Sequence, residues 1–370
     1  MRKLSLTMVL LVMSGVVSAA TYTASTPYGE THGITKFKLY SYTKRVAEKS
    51  AGDIKFDVHS GGVLLPAKSA LSGITNGVAQ YGHVTGAYVP ADLRYDNVLN
   101  DLAFVANDPL AAAIAVTEVK LTNKLLQKEY KDHKVVFGSS YSMTNYYVIC
   151  RNEVSTPDAL KSKRVRTGST AQIQWTQSMG GVPVSVPATE IYTGLQRGNL
   201  DCALGDASFL TTSFKLQEVA KHVTLVSVGT HTSGGEFFEQ KFWKGRSVEE
   251  RKLLMSELAY AIAELQVEWD KEAKDALEEA KTNGVALHQP SADLQDAVTK
   301  FQGEFVKGLA KASMENRKVE DPSGMIDQYL ETEQKWKELL KSVDRTDKAA
   351  LAKLIKEKLY DGLDYQTYGL

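Results

Sequence analysis

The sequence predicts an α/β protein of two mixed lobes with a cleft between them. Strand-like and helix-like segments alternate over residues 21–129, and a second alternating series covers residues 135–228. Such alternation favours βα units and mostly parallel sheets. The 370 residues, 43% of them hydrophobic, are sufficient for two domains with their own cores, and long helical segments follow from residue 247.

The first series is typical of half-buried strands between helices. Ile54, Phe56 and Val58 alternate with polar residues, as expected for a strand with one face in a core. The predicted segments are a strand at 21–24, a helix at 34–49, a strand at 54–58, a helix at 66–75, a strand at 78–83 and a helix at 108–129.

The second series has the same character. Its predicted segments are strands at 135–138, 145–151 and 163–166, a helix at 170–179, a strand at 182–186, a helix at 189–197, and strands at 200–204 and 223–228. Two such series in one chain indicate two lobes.

A capping box predicts where the first long helix begins. Ser247 is followed three residues later by Glu250, and apolar residues continue at helical spacing to Trp269. We expect this helix to reach Lys281, about 50 Å at 1.5 Å per residue, long enough to touch both lobes. Further helices are predicted at 291–316 and 324–342.

These segments divide the chain into domains. We assign residues 20–143 plus about 229–270 to lobe I, residues 144–228 plus about 271–345 to lobe II, and residues 346–370 to a helical C-terminal tail.

Residues 1–19 have the pattern of a cleavable export signal. Arg2 and Lys3 precede an apolar run over 4–17, which ends in the small-x-small pattern Val17-Ser18-Ala19. An N-terminal membrane anchor is the weaker interpretation, because the run is shorter than the roughly 20 residues that span a bilayer. We therefore expect export to the periplasm.

Charge and motifs exclude several classes of function. The 44 basic and 44 acidic residues balance, so no global charge attracts nucleic acid. The seven histidines form no HExxH pair, and we expect neither a metal nor a cofactor. No GxSxG elbow, Walker loop or GxGxxG turn is present, so an enzyme is not expected.

Two cysteines, Cys150 and Cys202, both lie in strand-like segments. An even pair in an oxidising compartment is a disulfide candidate. Two buried thiols acting as small apolar side chains remain the equal alternative.

Arg166 is the candidate for anion binding. It ends a short predicted strand, and a helix begins at about residue 170. In open α/β sheets, ligands bind beyond the carboxyl ends of strands, where an Arg can hold a carboxylate through two parallel hydrogen bonds. On spacing alone, a surface Arg that continues the run of Lys161, Lys163 and Arg164 is the preferred interpretation.

The same region resembles a known family, the extracytoplasmic solute receptors of TRAP transporters (DctP-like). The family pattern is a KxxR strand, a helix, a G-x-x-P strand and E-x-Y-x-A-L-Q-x-G-x-x-D. This sequence has Leu160-Lys161-Ser162-Lys163-Arg164-Val165-Arg166, then Gly180-Gly181-Val182-Pro183, then Glu190 to Asp201, with Phe242-Trp243 ahead of the long helix. Gly194 replaces the usual Ala, and Ser162 and Cys202 stand where glycines are common.

The resemblance implies a bilobal periplasmic receptor that closes on a small organic acid and delivers it to a TRAP permease in the inner membrane. Arg166 matches the family's carboxylate-binding arginine, which reverses the preference for a surface Arg. A receptor of the ABC type is the nearest alternative. A periplasmic hydrolase is less favoured, because no Ser or Cys lies in a recognisable nucleophile motif.

Two departures from the family bear on the ligand. Many members that bind dicarboxylates carry a second arginine about twenty residues earlier, where this chain has the uncharged Thr144-Asn145-Tyr146. A monocarboxylate is therefore favoured over a dicarboxylate. Asp206 stands near a position where Asn is common, and either receives a ligand hydroxyl or ammonium group or caps a helix that starts at Ala207.

The remaining candidate ligand contacts are weaker. Trp175 lies on the helix after Arg166, where it belongs to the core or lines an apolar wall for an aromatic or branched acid. Four further candidates lie in predicted loops: Tyr28, His32, Thr85 and Tyr88. Each is more readily explained as a packing or turn residue than as a ligand contact. The full set of weaker candidates is Tyr28, His32, Thr85, Tyr88, Tyr146, Ser169 and Trp175.

Overall fold

The computed structural model describes residues 20–370; the predicted export signal, residues 1–19, lies outside them. The strands of the described chain form two sheets. They are β1 (Ala20–Ser25), β2 (Ile54–His59), β3 (Tyr81–Val84), β4 (Val135–Ser139), β5 (Tyr147–Cys150), β6 (Arg164–Thr167), β7 (Val182–Ser185), β8 (Cys202–Gly205), β9 (His222–Thr224), β10 (Gly235–Glu239) and β11 (Ala286–His288).

The helices occupy the segments between and after these strands. They are α1 (Tyr42–Lys49), α2 (Ala70–Thr75), α3 (Arg94–Leu102), α4 (Pro109–Thr122), α5 (Lys124–Asp132), α6 (Pro157–Leu160), α7 (Thr170–Ser178), α8 (Ile191–Gln196), α9 (Gln240–Lys244), α10 (Val248–Thr282), α11 (Ala292–Arg317), α12 (Ser323–Leu339) and α13 (Lys348–Ile355). A wider π-helical segment, Ile34–Ser41, leads directly into α1.

Each sheet contains one antiparallel strand among otherwise parallel ones, which confirms the two-lobed α/β class and the expectation of mostly parallel sheets. The first has the order β2-β1-β3-β10-β4 and the second β11-β9-β5-β8-β6-β7. β10 runs antiparallel to β3 and β4, and β5 runs antiparallel to β8 and β9. These are the two strands that the chain enters directly from the other sheet, without the crossover helix that a parallel neighbour needs.

Two segments therefore cross between the sheets. Residues 140–146 lead from β4 to β5, and residues 225–234 lead from β9 to β10. They are held side by side, because the Tyr146 amide donates to the Gly229 carbonyl at 2.8 Å and the Met143 amide to the His231 carbonyl at 3.0 Å. The crossing segments thus form a paired connection between the two halves of the molecule.

Helix α10 connects the two halves a third time. The capping box is confirmed: the Glu250 amide donates to Ser247 Oγ at 3.1 Å, and the Ser247 amide donates to Glu250 Oε2 at 2.6 Å. The helix packs on the π-helical segment and α1 of the first half, and on the turn 207–210 that follows β8. The prediction that it touches both lobes is therefore confirmed.

Some elements differ from the sequence prediction. The predicted helix 108–129 is two helices, because Asn123 ends α4 and its Oδ1 accepts the Leu125 amide at 3.0 Å at the start of α5. Helix α3 and strand β10 were not predicted from the sequence.

The C-terminal tail packs on the first half. Helix α13 lies along α10, and Lys348 pairs with Glu268. Tyr360 donates to the Gly138 carbonyl at 3.1 Å and Tyr368 to the Phe137 carbonyl at 2.8 Å, both in β4. The tail is therefore an integral part of this half of the molecule.

The lobe boundaries given above remain a prediction. Helix α12 packs on α4 and α3, and α4 lies against β4 of the first sheet. This packing favours placing residues 323–339 with lobe I, whereas the sequence placed them with lobe II. In the described part of the chain, no helix is both long and apolar enough to cross a membrane.

The cysteines are bonded. Cys150 and Cys202 lie opposite each other in β5 and β8 and form a disulfide. Because β8 also pairs with β6, the disulfide lies in the same sheet as the strand that carries Arg166.

Candidate ligand-binding site

Arg166 is a buried cation without a buried anion to pair with. The residue is 1% exposed, its Nε donates to the Val186 carbonyl at 3.0 Å, and its Nη2 donates to the Tyr88 hydroxyl at 3.3 Å. Across residues 20–370, no carboxylate lies within ion-pair distance of its guanidinium group. A buried charge of this kind costs several kcal/mol unless a partner arrives.

A small cavity with a free volume of about 10 Å³ adjoins this guanidinium group. Its walls come from both halves of the molecule and from both crossing segments, and aromatic rings dominate them. The lining residues are Tyr28, His32, Ile34, Tyr88, Tyr141, Met143, Tyr146, Arg166, Ala188, Phe209 and His231. This volume is about the space that one water molecule needs, so a bound solute requires the two halves to move apart.

The wall from the first half begins at the loop after β1. The rings of Tyr28 and His32 are stacked, with centroids 4.1 Å apart. The Tyr28 hydroxyl lies 2.8 Å from Thr85 Oγ1, which in turn lies 3.2 Å from His83 Nε2. These contacts fix the Tyr28 ring against β3.

A buried ion pair supports this wall from behind. Lys38 Nζ lies 2.9 Å from Glu236 Oε2, and His83 Nδ1 lies 2.9 Å from Glu236 Oε1. Burial alone would raise the pKa of Glu236, but Lys38 and His83 lower it to about 2. Because Lys38 lies in the π-helical segment and Glu236 in β10, the pair joins the helix that follows the cavity loop to the sheet.

The two cavity histidines are uncharged near neutral pH. Burial, with His83 as a further cause, lowers the pKa of His32 to about 3. Burial and the nearby Arg166 charge lower the pKa of His231 to about 3. Arg166 is then the charged group of the cavity wall, which is the arrangement expected for one ligand carboxylate.

Tyr88 has a hydrogen to offer a ligand. Its hydroxyl oxygen accepts from Arg166 Nη2 and from the Ala188 amide at 2.9 Å. Both acceptor positions are thereby used, so the hydroxyl acts as a donor toward any further group. A carboxylate on Arg166 would meet this second donor.

The structure brings together five of the predicted site residues. Tyr28, His32, Tyr88, Tyr146 and Arg166 all line the cavity, and Thr85 lies one hydrogen bond behind Tyr28. Their roles as ligand contacts remain a prediction.

The other three candidates lie outside the cavity wall. Ser169 caps α7, where its Oγ accepts the Gln172 amide at 3.2 Å. Trp175 packs in the core, with its ring 6.3 Å from that of Phe104.

Asp206 is buried and helps to hold one of the crossing segments. It accepts from Ser208 Oγ at 2.7 Å and from Thr144 Oγ1 at 3.3 Å. Within the described chain, no backbone amide of the turn 207–210 caps onto its side chain. Burial raises its pKa to about 6. These contacts favour a structural role over ligand binding.

Several wall residues were not predicted from the sequence. Tyr141, Met143 and His231 lie in the crossing segments, and Phe209 follows β8. None belongs to a periodic element. The available signal was the aromatic and hydroxyl-rich run from Ser139 to Tyr146, which connects the two predicted series. In the described residues, no group of three or more His, Cys, Asp or Glu side chains is arranged to hold a metal ion.

The molecule consists of two halves that are joined by crossing segments and enclose a charged cavity. This architecture is typical of a solute-binding protein. The chain belongs to the family of bacterial extracellular solute-binding proteins, family 7 (DctP), whose model matches residues 26–311. The resemblance to the TRAP receptors is therefore confirmed.

Curated relatives agree with this family. A solute-binding protein of Albidiferax ferrireducens is 24% identical over 194 residues, which is 52% of this chain and 55% of that protein. The ectoine-binding periplasmic protein of Halomonas elongata is 28% identical over 138 residues, 37% of this chain and 40% of that protein. The chain thus spans about half the length of these relatives.

Solved structures share the fold. A TRAP solute-binding protein from Rhodoferax ferrireducens, in complex with copurified benzoate, has a TM-score of 0.77 at 15% identity, covering 86% of this chain and 99% of that one. One from Bordetella bronchiseptica, with bound (R)- and (S)-mandelate, has a TM-score of 0.72 at 18% identity, covering 85% and 99%. At these identities the likeness concerns the fold alone.

Proposed function

We propose that this protein is a periplasmic receptor for a small monocarboxylic acid, which it delivers to a TRAP-type permease in the inner membrane. The observation that carries the proposal is the buried Arg166, which faces an aromatic cavity without a carboxylate partner. Guanidinium groups bind carboxylates through two parallel, charge-assisted hydrogen bonds. The ligand's carboxylate supplies the missing anion.

The aromatic walls indicate the rest of the ligand. Tyr28, Tyr141, Tyr146 and Phe209 offer faces and edges for an apolar or aromatic body. The fold neighbours with benzoate or mandelate hold acids of this kind, each an aromatic ring with one carboxylate. We therefore propose an aromatic or compact branched acid with a single carboxylate.

Ligand binding would favour the closed arrangement of the two halves. Arg166 lies in β6 of the second sheet, whereas Tyr28 follows β1 of the first. A solute that contacts both has more contacts in the closed state, and this difference shifts the equilibrium. The permease would then recognise the closed surface.

Thermal unfolding of residues 20–370 with a library of monocarboxylic and dicarboxylic acids tests the binding proposal. A ligand at one hundred times its dissociation constant adds about 2.7 kcal/mol to the free energy of unfolding. We expect monocarboxylates to raise the melting temperature and Arg166→Ala to abolish the shift.

Arg164→Ala is the matched control. Arg164 lies in the same strand but is 44% exposed and pairs with Asp201 at 2.9 Å, away from the cavity. This variant should keep the ligand-induced shift. A shift that survives Arg166→Ala, or the absence of a shift with any acid, contradicts the proposal.

Delivery to a permease needs a separate test. Uptake of the identified acid into proteoliposomes that contain a TRAP permease from the same source should require the purified receptor. Uptake that is equally fast without the receptor would contradict this part of the proposal.

A further inference from the structure

His231 is a cavity residue whose ring has an unused hydrogen-bonding group. It lies in the crossing segment 225–234, and its carbonyl accepts the Met143 amide at 3.0 Å. The side chain lines the cavity and the residue is 5% exposed. Among the described residues, its buried Nδ1 has no hydrogen-bond partner.

The imidazole ring is held in place by packing. Its plane is stacked on the Tyr146 ring, with centroids 5.7 Å apart and 20° between the planes. It also lies beside Arg166: a Cβ atom on Gly168 would be 3.2 Å from Arg166 Nη1 and 3.4 Å from His231 Cε1. The ring therefore borders the place where a ligand carboxylate would bind.

A neutral imidazole offers one N–H donor and one lone pair. Burial and the Arg166 charge keep His231 neutral by lowering its pKa to about 3. A buried nitrogen without a partner is costly, so the cavity favours a ligand that supplies one. Because the carboxylate lies on Arg166, the complementary group belongs on a neighbouring atom of the ligand.

We propose that His231 is a specificity residue that selects acids with a hydroxyl or N–H group on the carbon next to the carboxylate. This inference rests on the proposed function, since it requires a carboxylate on Arg166. In the complex, the ligand's O–H or N–H group donates to the unpartnered Nδ1. An acid without this group leaves Nδ1 buried and unpaired.

Matched pairs of acids test this selection. Isothermal titration compares (R)- and (S)-mandelate with phenylacetate, and lactate with propionate, so that each pair differs by one hydroxyl group. An unsatisfied buried polar group lowers affinity by roughly 5- to 150-fold. We expect the better-bound hydroxy acid of at least one pair to bind at least about 10-fold more tightly than its partner.

Two substitutions locate the source of the preference. His231→Phe keeps a ring against Tyr146 but removes both nitrogens, and should bring the affinities of the paired acids within about twofold. His32→Phe is the matched control, because the Nδ1 of His32 already accepts the Ile34 amide at 3.2 Å. It should weaken both acids of a pair alike and preserve their ratio.

The outcomes separate the two proposals. Equal affinities of the paired acids in the wild-type protein, or a preference that survives His231→Phe, would overturn the role of His231 and leave the receptor function standing. The wild-type comparison does not depend on how any variant folds. If no acid of the wider library used for thermal unfolding binds, the proposed function fails, and this inference fails with it.

Discussion

Breaking the disulfide should lower the stability of the protein by an amount that the chain separation predicts. Cys150 and Cys202 are 52 residues apart, and the bond joins adjacent strands of the second sheet. Closing a loop of this length restricts the unfolded chain and contributes about 4 kcal/mol to the free energy of unfolding in the chain-entropy account. Because the entropy of unfolding grows with chain length, this loss in a chain of residues 20–370 corresponds to a decrease of about 5 °C in the melting temperature.

Urea denaturation provides the measurement. The oxidised protein is compared with the same protein reduced by dithiothreitol and with the double variant Cys150→Ala/Cys202→Ala. The reduced protein keeps both sulfur atoms, so its loss of stability reports the cross-link alone. The double variant adds the smaller effect of two lost sulfur atoms in buried positions. Identical urea midpoints for the oxidised and reduced proteins would refute the reasoning.

Three further predictions concern stability. Glu236→Gln leaves Lys38 buried without its charged partner and should lower the free energy of unfolding, measured with urea, by about 3–5 kcal/mol. The double variant Glu236→Gln/Lys38→Met should recover most of this loss. Equal stability of the single and double variants would contradict the ion-pair account. Burial raises the pKa of Glu129 from 4.5 to about 7, so the folded state binds the carboxyl proton more tightly than the unfolded state does. The contribution of this proton to the free energy of unfolding is complete below pH 4.5 and is lost as the pH rises through 7. The free energy of unfolding of Glu129→Gln, relative to that of the wild type, should therefore rise by about 3 kcal/mol between pH 4 and pH 8. A constant difference between the two proteins across that range would contradict this prediction. Ser247→Ala should cost about 1 kcal/mol in urea unfolding, with Ser256→Ala, inside the same helix, as the control; equal effects of the two substitutions would argue against the capping box.

The local elements were predicted best where a periodic pattern or a cap defines them. The capping box at Ser247 correctly marked the start of α10, and the alternation at Ile54, Phe56 and Val58 correctly marked β2. The break at Asn123 was missed, because α4 and α5 continue one another in the sequence without a proline or glycine. Strand β10 was missed because its partners are distant in the chain.

Part of the candidate site was also predicted, where a motif or a predicted element lies beside the residue. Arg166 was found through the motif around it, and Tyr28, His32, Tyr88 and Tyr146 were named from loops beside predicted elements. Trp175 and Ser169 lie near Arg166 in the chain but point elsewhere, into the core and onto the α7 terminus. Proximity in sequence therefore did not determine which side chains share the cavity.

The two-series α/β class, the long capped helix and the candidate anion-binding arginine could be predicted, because each depends on residues close together in the chain. The folded chain was needed to show that Cys150 and Cys202 face each other, that Asp206 supports a crossing segment, and that His231 borders Arg166 with an unused nitrogen. These relations join residues tens of positions apart. They follow from strand register and from the crossing of the chain between sheets, which local periodicity does not encode.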